Sequence, residues 1–380
     1  MEKCFVTICI LYLFLGGCTS NKGKENSLIY FNVSASYPEK EVNLEDIATI
    51  EYLQLEVDEE FLFSIAPNII TENKIIFGHR LNGDILVFSR NGEPLSKFNR
   101  KGNGPGEYII IHRLMYDEVL DEIFVVSANK IMVYSSYGEF YRSIPLLEQL
   151  SLGEIVNYDS QTFLMYDYLK KYPAPFSLIS KEDGSVIETI DLPVNKNINS
   201  NNIYVIIQSE NSISLVRGPA HRIVKYNDGY LLTDFSTDTL YFLSSEKKLS
   251  PILTRTPAIQ SMEPVVYLNG FVEAGNHEFA STVTVKYVDS NLPVTYLLRD
   301  KETGSVYRQK ITFNDYKGKN VTISPEIIVN THDSRLGFIN LDLTELQDAN
   351  HENKLSGRLK ELVDKSDEDG NDIYMLLHFK

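Results

Sequence analysis

The sequence predicts an all-β protein: a six-bladed β-propeller behind an N-terminal lipoprotein signal and a short tether. Three observations point there. From Ile50 onward, short runs rich in Ile, Val, Tyr and Phe follow one another, separated by Gly, Asn and Asp turns. Several runs alternate apolar and polar residues, the period of a half-buried strand whose successive side chains face opposite ways. Finally, SRNGEPLSKF, SSYGEFYRSI and SKEDGSVIETI place turn glycines at Gly92, Gly138 and Gly184, equally spaced by 46 residues. A four-stranded unit recurring every 40 to 50 residues or so is the signature of a propeller blade. A β-sandwich pair would not produce equal spacing.

The chain opens with an export segment. Met1-Glu2-Lys3 precedes an unbroken apolar run from Cys4 to Leu15, followed by Gly16-Gly17-Cys18 and the polar stretch Thr19 to Asn26. As a helix the run rises roughly 18 Å, short of a hydrocarbon core of roughly 30 Å, so it is a signal h-region rather than a span. Leu15-Gly16-Gly17-Cys18 resembles the lipobox of bacterial lipoproteins. That resemblance implies cleavage after residue 17, lipidation of Cys18 and a membrane partner reached through the lipid. Cys4 and Cys9 lie inside the signal, so no disulfide is expected in the mature fold. Residues 18–42 read as a lipidated tether and lead-in, polar and extended around Pro38, and 43–380 as the propeller.

Within the propeller, IEYLQLEV (50–57), KIIFG (74–78), DILVFS (84–89), EIFVVS (122–127), KIMVYSS (130–136) and TVTVKYV (282–288) are expected strands. SSEKKLSPIL (244–253) and RDKETGSVYRQKI (299–311, with Gly304) read as later copies of the glycine-turn unit. Helix is expected only at Asn43 to Ala48 and at Leu355 to Val363, where Leu355, Leu359 and Leu362 share a face. The 23 tyrosines, with no tryptophan, are expected to fill the wedges between blades with ring and hydroxyl both satisfied.

Phe98 to Tyr108 (FNRKGNGPGEY) resembles the G-x-G-P-G-E-Y motif of the six-bladed β-propeller lipoproteins of Bacteroides and its relatives, TolB-like or NHL-like in fold. Asn43 to Glu56, Asp238 to Tyr241 with Leu249-Ser250-Pro251, and the closing strand to Lys380 resemble further stretches of that family. Before the closing strand this chain lacks the family's usual proline. The resemblance implies fold and location more than activity. On physical grounds Gly102, Gly104 and Gly106 are expected to supply positive-φ positions, Pro105 to stiffen the loop, and Glu107 to accept from its N–H groups, with Tyr108 following. The loop reads as a structural connection between blades. It lacks the Lys-Ser/Thr and the strand–helix context of a phosphate loop.

No catalytic constellation is legible. The seven histidines form neither H-x-x-x-H nor H-E-x-x-H, and G-x-S-x-G is missing. No metal site and no cofactor are expected. Asp364 to Asp372 superficially suggests a calcium loop, but Lys365 and Leu376 fall on ligand positions, so a solvated acidic turn is expected. The net charge of −16 argues against nucleic acid as a partner. Arg217, His221 and Arg222 form the densest cationic stretch and are the candidate ligand-binding residues, suited to an acidic sugar or carboxylate. The expected function is a non-enzymatic binding or scaffold module for a glycan, peptide or partner protein. A propeller enzyme, lactonase-like or lyase-like, and a structural subunit of an envelope complex are the alternatives. The expected location is the cell envelope, on the periplasmic face of the outer membrane, because Thr19 to Asn26 carries one acid against two lysines.

Overall fold

The computed structural model describes residues 28–56, 66–146, 154–167, 174–193, 203–209, 212–217, 221–234, 237–286, 292–328, 333–367 and 370–380, with backbone only for 203–217. Six sheets form the blades. Blade 1 is Ile69–Ile70, Lys74–Gly78, Asp84–Ser89 and Pro94–Asn99; blade 2 is Arg113–Asp117, Glu122–Ser127, Lys130–Ser135 and Phe140–Pro145. Blade 3 is Glu154–Asn157, Thr162–Tyr166, Phe176–Ser180 and Val186–Ile190. A hairpin of Ile203–Ser209 and Ser212–Arg217 leads into blade 4, which is Ile223–Tyr226, Gly229–Leu232, Thr239–Leu243 and Leu249–Thr256. Blade 5 is Val266–Ala274, His277–Thr284, Val294–Asp300 and Val306–Thr312. Blade 6 joins Leu336–Leu341 and Ile373–Phe379 to the N-terminal strand β3 (Ala48–Gln54), closing the ring.

What holds the ring is a set of six apolar wedges among the described residues, one between each pair of neighbouring blades. Ile76, Val87, Leu114 and Tyr134 belong to the wedge between blades 1 and 2, and Phe124, Val133 and Phe163 to that between blades 2 and 3. Leu178 and Leu232 join blades 3 and 4, Leu231 and Phe271 blades 4 and 5, Phe279 and Met375 blades 5 and 6, and Phe77 and Tyr374 blades 1 and 6. The expected tyrosine role holds here: Tyr108, Tyr116, Tyr134 and Tyr166 are fully buried. Their hydroxyls bond the Gly83 carbonyl, Asp121, the Gly106 carbonyl and Asp234.

The turn glycines fall where the repeat puts them, between the third and fourth strands of blades 1, 2, 3 and 5, with φ of +93°, +82°, +75° and +69° at Gly92, Gly138, Gly184 and Gly304. Lys247 takes the equivalent place in blade 4 with φ +61°. Three of the glycines also press on the preceding blade. A Cβ at Gly92 would sit 2.6 Å from the Gln54 carbonyl oxygen, one at Gly138 2.5 Å from Phe98 Cγ, and one at Gly184 would overlap the Pro145 carbonyl. The repeat therefore marks both a left-handed turn and a close approach between blades.

The stretch read as lead-in runs extended, and its strands bind the propeller. Strands β1 (Ile29–Asn32) and β2 (Glu39–Asn43) add in parallel to the outer edges of blades 4 and 5, before β3 enters blade 6. Phe31 and Val42 are buried by this pairing, and two exposed sheet edges are covered. Between β2 and β3 lies helix α1 (Leu44–Ile47), capped by the Asn43 side chain, which accepts from the Glu45 N–H at 3.0 Å.

Two elements depart from expectation. Beside the anticipated helix α3 (Gly357–Val363) lies α2 (Leu343–His351), where no helix was expected. Asp342 caps α2 by accepting from the Glu345 N–H, and Leu343, Leu346 and Ala349 are buried. The acidic turn before the last strand is not simply solvated. Asp372 is buried and accepts from the Leu343 N–H at 3.0 Å and from Asn340 at 2.9 Å, tying that strand to α2.

Candidate functional site

The innermost strands of blades 1 to 4 surround an axial cavity of about 580 Å³. Its wall takes residues from the beginnings of these strands (His112, Arg113, His221) and from their far ends (Asp117, Asn157, Lys225). The volume falls in the roughly 300–1,000 Å³ range of small-molecule sites.

At the first end stands a buried charge cluster. The Glu154 side chain is taken out of water at the start of the blade 3 inner strand. Its Oε2 accepts from the Arg222 N–H at 2.7 Å, and its Oε1 lies 3.5 Å from His221 Nδ1. Burial pushes the Glu154 carboxyl up, but His221, Arg113 and the Arg222 N–H together outweigh it and hold the carboxyl below its ordinary range. The Arg222 guanidinium, itself buried, sits 5.8 Å from the Tyr166 ring centre, and Tyr166 donates to Asp234 Oδ2 at 2.7 Å. Burial lowers the Arg222 pKa, opposed by Tyr166, Glu154 and Asp234.

At the other end the carboxylates are occupied. Lys181 pairs with Asp117 at 3.0 Å while lying over the Phe124 and Phe163 rings. Glu118 accepts from the Thr71 hydroxyl at 2.8 Å and from Asn73, and Asp159 accepts from Gln161 and Thr162 of its own turn. Tyr158 and Tyr230 form a tilted pair with centres 6.1 Å apart. Lys225 Nζ lies 4.7 Å from the Tyr230 ring centre, and burial lowers its pKa. Among the described residues no three His, Cys, Asp or Glu side chains are placed to hold a metal.

The sequence-predicted residues divide. Cys18 lies outside the described residues, and Arg217 ends a strand whose side chains are not described. His221 lines the cavity with its side chain 30% exposed, whereas Arg222 is turned into the interface between blades 3 and 4, 5% exposed. Gly102 to Tyr108 form the connection from blade 1 to blade 2. Glu107 accepts from the Gly104 N–H at 2.7 Å, and Tyr108 donates to the Gly83 carbonyl at 2.6 Å while accepting from the Arg100 N–H at 3.1 Å. None of Gly102, Gly104 and Gly106 has positive φ, contrary to expectation. Crowding explains them instead: a Cβ would overlap the Glu107 carboxylate at Gly102, lie 3.0 Å from it at Gly104, and reach 3.2 Å from the Phe140 ring at Gly106. Arg113, Glu154 and Lys225 went unread in the sequence because the site gathers single residues from separate blades.

Six closed wedges around a polar axial cavity define the class: a six-bladed β-propeller whose central cavity is walled by four of its blades. The chain belongs to the family described as "Domain of unknown function (DUF4934)", which matches residues 28–378. No curated protein matches the sequence. Among solved structures it is similar to a Bacteroides fragilis protein described as exported, at 17% identity and a TM-score of 0.62, over 93% of this chain and 100% of that one. It is also similar to a DUF4221 member from Bacteroides vulgatus, at 12% identity and a TM-score of 0.49, over 88% and 98% of the two chains.

Proposed function

We propose that this protein is a lipid-anchored binding module of the bacterial cell envelope that takes a glycan, peptide or partner-protein segment at its propeller axis. The observation that carries this reading is the axial cavity, walled by polar and aromatic side chains from four blades on a scaffold closed by six wedges. A rigid frame holding such a cavity is suited to recognition, because little ordering remains to be done on binding. The lipobox resemblance at Leu15 to Cys18 supplies the anchor, with Cys18 as acceptor. A structurally similar protein described as exported accords with a place outside the cytoplasm. The acid-poor stretch after Cys18, one glutamate against two lysines, favours the periplasmic face over the cell surface.

A second reading, a propeller hydrolase or lyase, draws on one specific contact. His221 lines the cavity with Nδ1 3.5 Å from the buried Glu154, an arrangement that orients an imidazole for proton transfer. Two experiments test the account. Metabolic labelling with a radioactive fatty acid is expected to mark the wild type and to leave Cys18→Ala unmarked; an unmarked wild type removes the anchor, and labelling of both removes Cys18 as its acceptor. Capture from envelope extract, with glycan and peptide mass spectrometry, is expected to recover a ligand unchanged in mass. Recovery of nothing above background overturns the binding reading, and recovery of a cleaved ligand favours the enzyme.

A further inference from the structure

We infer that the axial cavity takes a small anionic ligand, held through a carboxylate or phosphate group. This rests on the binding reading above and adds the ligand's chemical class.

The charged side chains that line the cavity are unevenly engaged. The carboxylates that line it are engaged: Asp117 by Lys181, Glu118 by Thr71 and Asn73, and Asp159 by its own turn. Two of the cations are not. Arg113, at the start of the blade 2 inner strand, makes no side-chain hydrogen bond or ion pair with the described residues. The carboxylate whose field it feels is Glu154, which already accepts from the Arg222 N–H and faces His221. Lys225 stacks over Tyr230 with no carboxylate within ion-pair distance among the described residues; Asp228 and Asp333 act on it only at longer range. Both side chains are half-buried, so solvation by bulk water is incomplete. A desolvated cation without a partner is unfavourable, and an incoming anion removes that cost with a charge-assisted pair, whereas a neutral sugar offers only hydroxyl acceptors and no countercharge. The lining carries three cations and three carboxylates, so what favours an anion is not a net positive charge but that Arg113 and Lys225 are the members without an ion-pair partner. A guanidinium binds carboxylate and phosphate alike through its planar fork, so the geometry defines the anion and not which of the two. Tyr158 and Tyr230 offer ring faces beside Lys225 for the rest of the ligand.

The test is titration calorimetry on the full-length protein in detergent with trigalacturonate, glucose 6-phosphate and maltotriose. At least one anionic probe is expected to bind, at least tenfold more tightly than maltotriose, and the probe that binds distinguishes carboxylate from phosphate. Arg113→Gln and Lys225→Met are each expected to weaken that binding at least tenfold. Arg113→Lys retains part of it, and Lys248→Gln, at an exposed site, changes nothing. The Lys substitution separates loss of the charge from loss of the fold. Equal binding of maltotriose, or anion binding indifferent to both cavity substitutions, overturns the anionic class while leaving the binding reading intact. If none of the three probes binds, the inference falls, and envelope capture then decides the binding reading on its own.

Discussion

Replacing Gly138 with alanine isolates the contribution of the glycine repeat. Gly138 has φ +82°, and a Cβ there would lie 2.5, 2.7 and 2.9 Å from three atoms of Phe98, which belongs to the outermost strand of blade 1. Holding a non-glycine residue in the left-handed region costs about 1–2 kcal/mol. Forcing a methyl into packed surroundings adds about 1–3 kcal/mol. Phe98 cannot simply swing away, because it is buried against the Tyr134 ring at 5.8 Å. The expected loss is therefore about 2–5 kcal/mol. Gly304→Ala is the internal reference. It has φ +69°, but a Cβ there would meet only the Arg299 side chain at 3.6 Å, so the loss is about 1–2 kcal/mol. Guanidinium unfolding followed by circular dichroism measures both. A Phe98→Ala, Gly138→Ala double mutant should lose less than the sum of the two single losses, since removing the ring makes room for the methyl. Equal losses at Gly138 and Gly304, or strict additivity with Phe98→Ala, would refute the idea that the repeat encodes contact between blades as well as a turn.

Tyr108→Phe strands the Gly83 carbonyl and the Arg100 N–H, and is expected to cost about 1–3 kcal/mol in the same assay. Burial is the main cause that pushes the Tyr108 hydroxyl up to about 12, above the value of about 10 for an unfolded chain. Its contribution is thus complete below pH about 10 and lost as pH rises towards about 12, and Tyr108→Phe should lose less stability than the wild type between pH 9 and 11.5. Glu154 has a lowered pKa, so its contribution is present above the ordinary carboxylate range and lost as pH falls through the folded value. Glu154→Gln is expected to flatten the acid limb of a stability–pH profile, and an unchanged limb would count against the buried cluster. Phe31→Ala removes the apolar anchor of β1 and is expected to cost about 3–5 kcal/mol, whereas a free tether would give no change.

Much of the propeller was legible because its signals are local. Gly92, Gly138 and Gly184 mark the same turn in three blades, and runs such as DILVFS and EIFVVS carry the apolar content of strands buried on both faces. β1 and β2 were not legible as strands of the fold. An edge strand pairs through its backbone, and β2 (EKEVN) buries only Val42, too little for a periodic pattern. Helix α2 escaped for a related reason: its capping Asp342 and three buried apolar residues are spread through an otherwise polar segment. In the G-x-G-P-G-E-Y loop the glycines were recognised but misattributed, because sequence cannot distinguish a residue that needs positive φ from one with no room for a Cβ. His221 was singled out through its cationic neighbours, and it lines the cavity. Arg113, Glu154 and Lys225 had no such cue, each belonging to a different inner strand with no fixed spacing to the others.

The measurement that bears most directly on the central claim is a crystal structure with the ligand recovered from envelope extract. Density is expected in the axial cavity, touching the inner strands of blades 1 to 4 within reach of Arg113 or Lys225. Density confined to the outer rim, or to the edges covered by β1 and β2, would contradict it.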